Sequence, residues 1–505
     1  MGVIKSQSIY STVYSYIGVV LGFVTSALLM PKMMPTEQIG FIKLIVAVTG
    51  VFSSIFSFGI GQLLFRSFPI YEDDLHKRRK LLYLALKISF IGSITALPIF
   101  YFSANELLNF DQPTLGVAKN TQLLVLIFFT IVARLLYASL FGYVRMMNNV
   151  VVDAFIQNIF HKGGILVLLL LFYVDVIGFQ LYLIVYLILY LLFPVLIAGH
   201  YAMKQGALSY SQFIPRKLGN ESKFTAAENK EFFRLLLFGM LTTIGGSLYL
   251  YLDTLMVNYY LGESEVGIYG TMFLFGVIVI IPARSLKSIS VSVLSRAFKE
   301  DDHQKILEIY RKSSITLLII GGYIFMGVWS NMYSVFGYLP KEFQLGYYVV
   351  LFIGLGQLFD MATGVNNELI AASPKYRLNT WFILVSIMVG VVINVLLIPR
   401  FGIDGAGLAT LLSIVFVNVL RLAAVYLIYK IQPFTLQTVK IIFIIAAITV
   451  LMHFLPNFEN YMLNLLYKGT MITVIYIPLV YYLSLSQDFN DLVQGVFRKV
   501  LGKKD

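Results

Sequence analysis

The sequence contains no cysteine, so structural disulfides and thiolate metal sites are both excluded. Charge is scarce: 13% of the 505 residues are Asp, Glu, Lys or Arg, against 58% hydrophobic, and the mean hydropathy is +0.81. A soluble core cannot hide that much apolar surface, whereas a bilayer requires none of it to be hidden, so composition points to a membrane protein. The histidines, at 76, 161, 200, 303 and 453, are too scattered to suggest a metal cluster. Neither a G-x-x-x-x-G-K-[ST] phosphate cradle nor an H-E-x-x-H zinc motif occurs, which removes those routes to hydrolysis. Paired acids such as Glu72/Asp73/Asp74 and Asp301/Asp302 stand beside Lys and Arg in polar loops and read as solvated surface charge. Nothing resembles bond-breaking chemistry, so transport is expected and enzymatic activity is not.

What the sequence has instead is long hydrophobic runs. Fourteen stretches reach the ~20 residues that a bilayer-spanning helix needs. They lie at about 9–30, 39–65, 81–103, 120–144, 153–174 and 179–202. After a polar gap come 232–258, 267–290, 312–335, 346–369, 378–398 and 405–429, then 437–455 and 466–486. The first run is too long for a secretory signal and lacks a small-residue exit, so it is expected to stay as a span.

The net charge of +12 is distributed unevenly. Alternate connections (66–80, 204–230, 295–312 and the tail 498–504) are basic, whereas the intervening ones hold at most one Lys or Arg each. The positive-inside rule then predicts cytoplasmic N- and C-termini and an even number of spans. The basic excess is assigned to an anionic leaflet, and no nucleic-acid partner is expected. The tail at 489–504 carries apolar residues at helical spacing among lysines and reads as a basic amphipathic helix on the membrane surface.

The chain also repeats itself. MPTEQIGF (34–41) aligns with LGESEVGI (261–268) at an offset of 227, which places Gly40 on Gly267. FYVDVIGF (172–179) aligns with FGIDGAGL (401–408) at an offset of 229. The two separate matches agree on one offset to within two residues and, together with the hydrophobic runs, predict an all-α polytopic membrane protein of about 14 spans. It would comprise two pseudo-symmetric six-helix lobes, 1–203 and 232–430, joined by a cytoplasmic linker at 204–231. Two C-terminal spans (431–486) and a tail (487–505) would follow.

The stretches NVLLIPRFGIDGAGLATLLS (394–413) and DTLMVNYYLGESEVGIYG (253–270) resemble second-lobe motifs of the MOP superfamily, especially its polysaccharide and lipid-linked oligosaccharide flippases. MPTEQIGF (34–41) and FGIGQLLFRSFP (58–69) resemble the matching part of the first lobe. The resemblance implies alternating access that carries a polyprenyl-pyrophosphate-linked oligosaccharide from the cytoplasmic to the outer leaflet. Its setting would be a bacterial inner membrane, in the export of cell-surface polysaccharide such as O-antigen. Membrane lipids and polysaccharide assembly proteins would be its partners. No cofactor is implied, and an H+ or Na+ gradient is the candidate driving force. The extra helices at 437–486 favour the flippase branch, where they would form a groove for the lipid tail. Two alternatives remain: a cation-coupled exporter of small molecules from the same superfamily, and a non-transporting scaffold of a glycan-assembly complex.

A charge at the bilayer centre costs ~2.5–3.5 kcal/mol on the insertion scale, so each one needs a reason. The deepest are Arg134, Asp360 and Arg421, with Lys162 and its neighbour His161 less deep. A guanidinium suits pyrophosphate oxygens, which makes Arg134 the first candidate for the headgroup site, with Lys162 and Arg421 behind it. Arg284 and Lys287, a turn apart, are candidates to receive phosphate from the inner leaflet. Asp253, Asp360 and Glu368 are candidates for ion coupling or gating. The repeat offset brings Arg134 close to Asp360, so the two are expected to face each other across a central cavity. Packing pairs, helix caps and snorkelling are the competing readings for all eight.

Overall fold

The computed structural model describes residues 2–71, 74–108, 121–146, 150–204 and 224–500. Glu72 and Asp73, the 109–120 part of one predicted connection, the 205–223 part of the linker and residues 501–505 lie outside them. Among the described residues, thirteen helices are long and apolar enough to cross a membrane. We label them α1 (Tyr10–Met33), α2 (Thr36–Phe56), α3 (His76–Ala104), α4 (Gln122–Val144), α5 (Val151–Tyr173), α6 (Phe179–Lys204) and α7 (Ala226–Leu261). Then come α8 (Glu263–Ile280), α9 (His303–Ser330) and α10 (Lys341–Ala362). The run Leu378–Tyr429 supplies α11 and α12, and α13 (Leu436–Phe454) and α14 (Tyr461–Tyr482) complete the set.

The 52-residue run Leu378–Tyr429 is two spans rather than one. At 1.5 Å per residue it would be about 78 Å long, more than twice a hydrocarbon core of ~30 Å. It folds back at Gly402, whose φ of 59° and ψ of −139° belong to neither helix and suit only a residue without Cβ. Beyond the turn, Gly405 lies so close to the Leu397 carbonyl that a side chain would overlap it. With this hairpin counted, the chain is an all-α polytopic membrane protein of fourteen spans, built as two six-helix repeats with two C-terminal helices added.

The structure forms two compact units, Met1–Gly267 and Ile268–Asp505. The division falls inside the second-repeat motif and not at the polar linker. Its cause is α7, which packs along α2 and on the short helix Ile60–Ser67. The start of α7 is also tied down. Thr225 and Glu228 form a reciprocal capping box (Glu228 N to Thr225 Oγ1 3.2 Å; Thr225 N to Glu228 Oε2 2.6 Å). Glu228 Oε1 additionally accepts from Tyr71 Oη at 2.7 Å and from Lys77 Nζ at 3.3 Å. Burial and this carboxylate together push the Tyr71 hydroxyl above its ordinary range. Thr225→Ala is expected to cost about 1 kcal/mol as a lost cap. Glu228→Ala should cost more, because it orphans Tyr71 as well, and the ordering of the two melting temperatures in detergent checks this.

Elsewhere in the first unit α4 packs against α3 and α6, and α1 against α5. Both α1 and α5 contain a π-helical stretch, Val24–Leu29 and Ile156–Phe160, of the kind that often marks functional positions. In the second unit α10 packs on the α11–α12 hairpin, and α9 packs on α10, α13 and α14. Gly321 and Gly322 permit this: a Cβ on Gly321 would overlap Met361 of α10, and one on Gly322 would overlap Ile445 of α13. The predicted tail helix is present as Gln487–Val500.

Candidate functional site

The spans of the second unit are interrupted twice. Helix α8 ends in a 3-10 turn at Ile278–Ile280, and Pro282, with φ −65°, caps a new helix Ala283–Lys299. Proline suits the start of a helix and lacks the N–H that would continue the preceding one, so Pro282 favours the break at this point. The new helix buries Ala283, Ser290, Leu294 and Ala297, and exposes Arg284, Ser288 and Ser292. The second interruption follows α10. Gly364, at φ 69°, separates it from the short helix Asn366–Ala372. Carbonyls freed by such a break must be satisfied locally at membrane depth. The Ala362 carbonyl accepts from Ser314 Oγ at 2.6 Å, and that of Asp360 accepts from Thr363 Oγ1 at 2.8 Å.

The two breaks are joined by one polar network. Lys287 Nζ donates to Asp360 Oδ2, both side chains being only 13% exposed. Asp360 Oδ1 accepts from Asn418 Nδ2 of α12 at 3.1 Å. Asn418 Oδ1 in turn accepts from Asn366 Nδ2 at 2.9 Å and from Thr363 Oγ1 at 3.2 Å. A buried ion pair offsets its desolvation only when its remaining hydrogen-bonding capacity is used, and here Asn418 uses it. One turn beyond Asn418 stands Arg421, half-buried, with its Nε enclosed and without a hydrogen-bond partner. Glu368 accepts from Asn367 at 3.2 Å on one oxygen, and its other oxygen is buried without a partner. Arg284 is exposed. Five of the eight residues singled out in the sequence, Arg284, Lys287, Asp360, Glu368 and Arg421, thus belong to this unit. Asp360 is held by Lys287 within it.

The first unit holds the other three. Lys162 of α5 donates to the Gly18 carbonyl of α1 at 2.8 Å, and its stem lies against Gly22. Lys162 and the half-buried Arg134 of α4 both come within electrostatic reach of His161, so three basic side chains form one cluster beside the two π-helical stretches. One turn from Arg134, Tyr137 donates to Asp153 at 2.8 Å and accepts from Gln157 at 3.0 Å. Asp253 is half-buried on α7. Asn418, Thr363, Tyr137 and Gln157 were not among the residues singled out. A scan for uncharged polar side chains in apolar spans would have flagged Asn418 and Gln157. Among the described residues no group of three or more His, Asp or Glu could hold a metal ion.

Fourteen spans in two repeats, with broken helices and charged groups inside them, define a polytopic α-helical membrane protein. The chain belongs to the polysaccharide biosynthesis protein family, whose sequence profile matches residues 4–294. Over 181 residues it is 26% identical to the probable low-salt glycan biosynthesis flippase Agl15 of Haloferax volcanii, covering 35% of this chain and 38% of that protein. The match therefore spans well under half of that relative's length. In structure the chain is similar to the lipid II flippase MurJ in an inward closed conformation, with a TM-score of 0.71 at 15% identity, over 94% of this chain and 99% of that one. An inward-facing multidrug resistance MATE family transporter matches with a TM-score of 0.58 at 14% identity, over 83% of this chain and 94% of that one.

Proposed function

We propose that the protein is a flippase that moves a polyprenyl-pyrophosphate-linked oligosaccharide from the cytoplasmic to the outer leaflet by alternating access, for cell-surface polysaccharide export. It acts as a transporter and not as an enzyme, in a bacterial inner membrane with both termini cytoplasmic. The observation that carries this is the set of basic side chains placed within the spans or just beyond a break in one: Arg134 and Lys162 in one unit, Lys287 and Arg421 in the other, with Arg284 exposed close to Lys287 in sequence. Broken helices within a bilayer are tolerated where they line a site, and basic groups there suit an anionic headgroup. Asp360, Glu368 and Asp253 are the groups we assign to gating or coupling to an H+ or Na+ gradient. The family and the flippase relatives support a lipid-linked saccharide as substrate.

Reconstitution into liposomes tests this. The wild type is expected to carry a lipid-pyrophosphate oligosaccharide between leaflets. A charge-assisted bond to phosphate contributes ~1.5–3 kcal/mol, so Arg134→Ala and Arg421→Ala should each slow the flip by roughly 10- to 100-fold. A wild type that leaves this lipid in place, yet moves small cations against a proton gradient, would place the chain in the exporter branch.

A further inference from the structure

Helix α14 carries a lysine in a row that is otherwise built for packing. Its buried residues recur every four positions: Asn464, Lys468, Ile472, Tyr476 and Val480. The other polar members have partners. Asn464 donates to Ser334 Oγ at 2.8 Å, and Tyr476 donates to the Ile319 carbonyl at 3.0 Å. Lys468 is 4% exposed and, among the described residues, has neither an ion pair nor a hydrogen bond. A buried ammonium without a counter-charge is costly unless something else supplies the negative charge.

Lys468 borders a cavity of about 440 Å³, at the end of the unit where α9 finishes and α10 begins. The charge pattern predicts that end to be the outer one. The cavity falls within the ~300–1,000 Å³ of small-ligand sites. Much of its wall is aromatic, from Trp329, Tyr333, Phe336 and Tyr347. The Trp329 and Tyr347 rings are 4.5 Å apart, and Phe336 and Tyr347 are 5.9 Å apart. Gln344 and Asn457 add amides that can both donate and accept, and the hydroxyl of Ser330 is buried without a partner. The wall is fixed in place by the Asn464–Ser334 bond and by Gly337, which lies directly against the Tyr461 ring.

We propose that this cavity binds an acidic sugar, with its phosphate or carboxylate group on Lys468 and its ring against the aromatic wall. The lining matches each part of such a molecule: a cation for the acidic group, ring faces for the C–H face of the pyranose, and amides for its hydroxyls. That the sugar belongs to the translocated glycan rests on the flippase reading, whereas the chemistry of the pocket does not.

The sequence offers a direct reporter. Of its two tryptophans, Trp329 lies in the cavity wall and Trp381 is 65% exposed, so Trp381→Phe leaves one emission from the pocket. The full chain, in nanodiscs of phosphatidylcholine, would be titrated with glucuronate, glucose 1-phosphate, glucose and inorganic phosphate. Glucuronate or glucose 1-phosphate should shift Trp329 emission saturably, with glucose and phosphate about tenfold weaker or worse. Lys468→Gln should weaken binding by about tenfold or more, and Lys468→Arg should retain most of it. Asn457→Ala, which leaves the buried row of α14 untouched, should weaken it as well. Absence of a saturable shift, an equal response to glucose, or indifference to Lys468→Gln would overturn the proposal. So would phosphatidylglycerol nanodiscs that produce the shift and block glucuronate, because the occupant would then be a lipid headgroup. Flipping retained without acidic-sugar binding sinks only this subsite. Binding retained without flipping upholds the subsite and counts against the transport reading alone.

Discussion

Oxidation of a Thr36→Cys/Ser264→Cys pair is expected to stop translocation, and reduction to restore it. The two hydroxyl oxygens are 2.7 Å apart, and the chain has no cysteine of its own to compete for the bond. Their neighbourhood is unusual. A Cβ on Gly40 would collide with the Glu263 carbonyl, and one on Gly267 would collide with the Thr36 carbonyl. These residues are repeat mates: Gly40 aligns with Gly267, and Thr36 with Glu263, at the same offset of 227. Each repeat therefore offers the same patch to the other, as in a two-fold interface, and the backbones meet with no side chain between them. Such a contact is made or broken as a whole. If transport requires this end of α2 to part from the start of α8, the crosslink holds it shut. Gly40→Leu should act in the opposite sense by preventing closure. Flipping measured before and after reduction decides the matter: full activity in the oxidised pair would show that this contact never opens during transport.

Hydropathy and the repeat made the number and order of the spans readable, because both are carried by many residues at once. Gly40 and Gly267 were aligned on stretches of only eight residues, and the structure brings that same pair together. What averaging obscured was the interruptions. Predicted spans 267–290 and 346–369 each scored as continuous runs, although Pro282 and Gly364 break them. A window of twenty residues absorbs a short break when the flanks are apolar. Arg284 and Lys287 thus begin a new polar helix, where the sequence suggested the inner end of a span. Likewise the run 39–65 is α2 followed, after Gly59 at φ 77°, by the separate helix Ile60–Ser67. The partner of Asp360 was hidden for a different reason. Repeat offset relates equivalent positions, and contacts follow packing: Lys287 reaches Asp360 because the Ala283–Lys299 helix lies against Asn366–Ala372. Asn418 carries no charge and was passed over, yet it links Asp360 to both Thr363 and Asn366.

Neutralising one partner of the Lys287–Asp360 pair is expected to be the most damaging single change in the second unit. With both side chains 13% exposed, Lys287→Met leaves a buried carboxylate that, among the described residues, keeps only the side-chain hydrogen bond from Asn418. Breaking such a pair costs about 3–5 kcal/mol, a large part of a typical stability of ~5–15 kcal/mol. Asp360→Ala should be comparably damaging, since it strands the Lys287 ammonium, whereas Asn418 keeps its bonds to the Ile414 carbonyl, Asn366 and Thr363. The double variant Lys287→Met/Asp360→Asn separates structure from function. It removes both charges while keeping an oxygen for Asn418, and replacing a buried pair by groups of similar volume is often neutral for stability. Its melting temperature in detergent should return close to that of the wild type. If the pair is a gate or a coupling site, translocation should stay lost in that well-folded double variant. If the pair only fixes α10 against the neighbouring helix, translocation should return along with the stability. Thermal melts and the liposome assay on the same three proteins give both readings, and recovery of flipping in the double variant would remove Asp360 from the coupling residues.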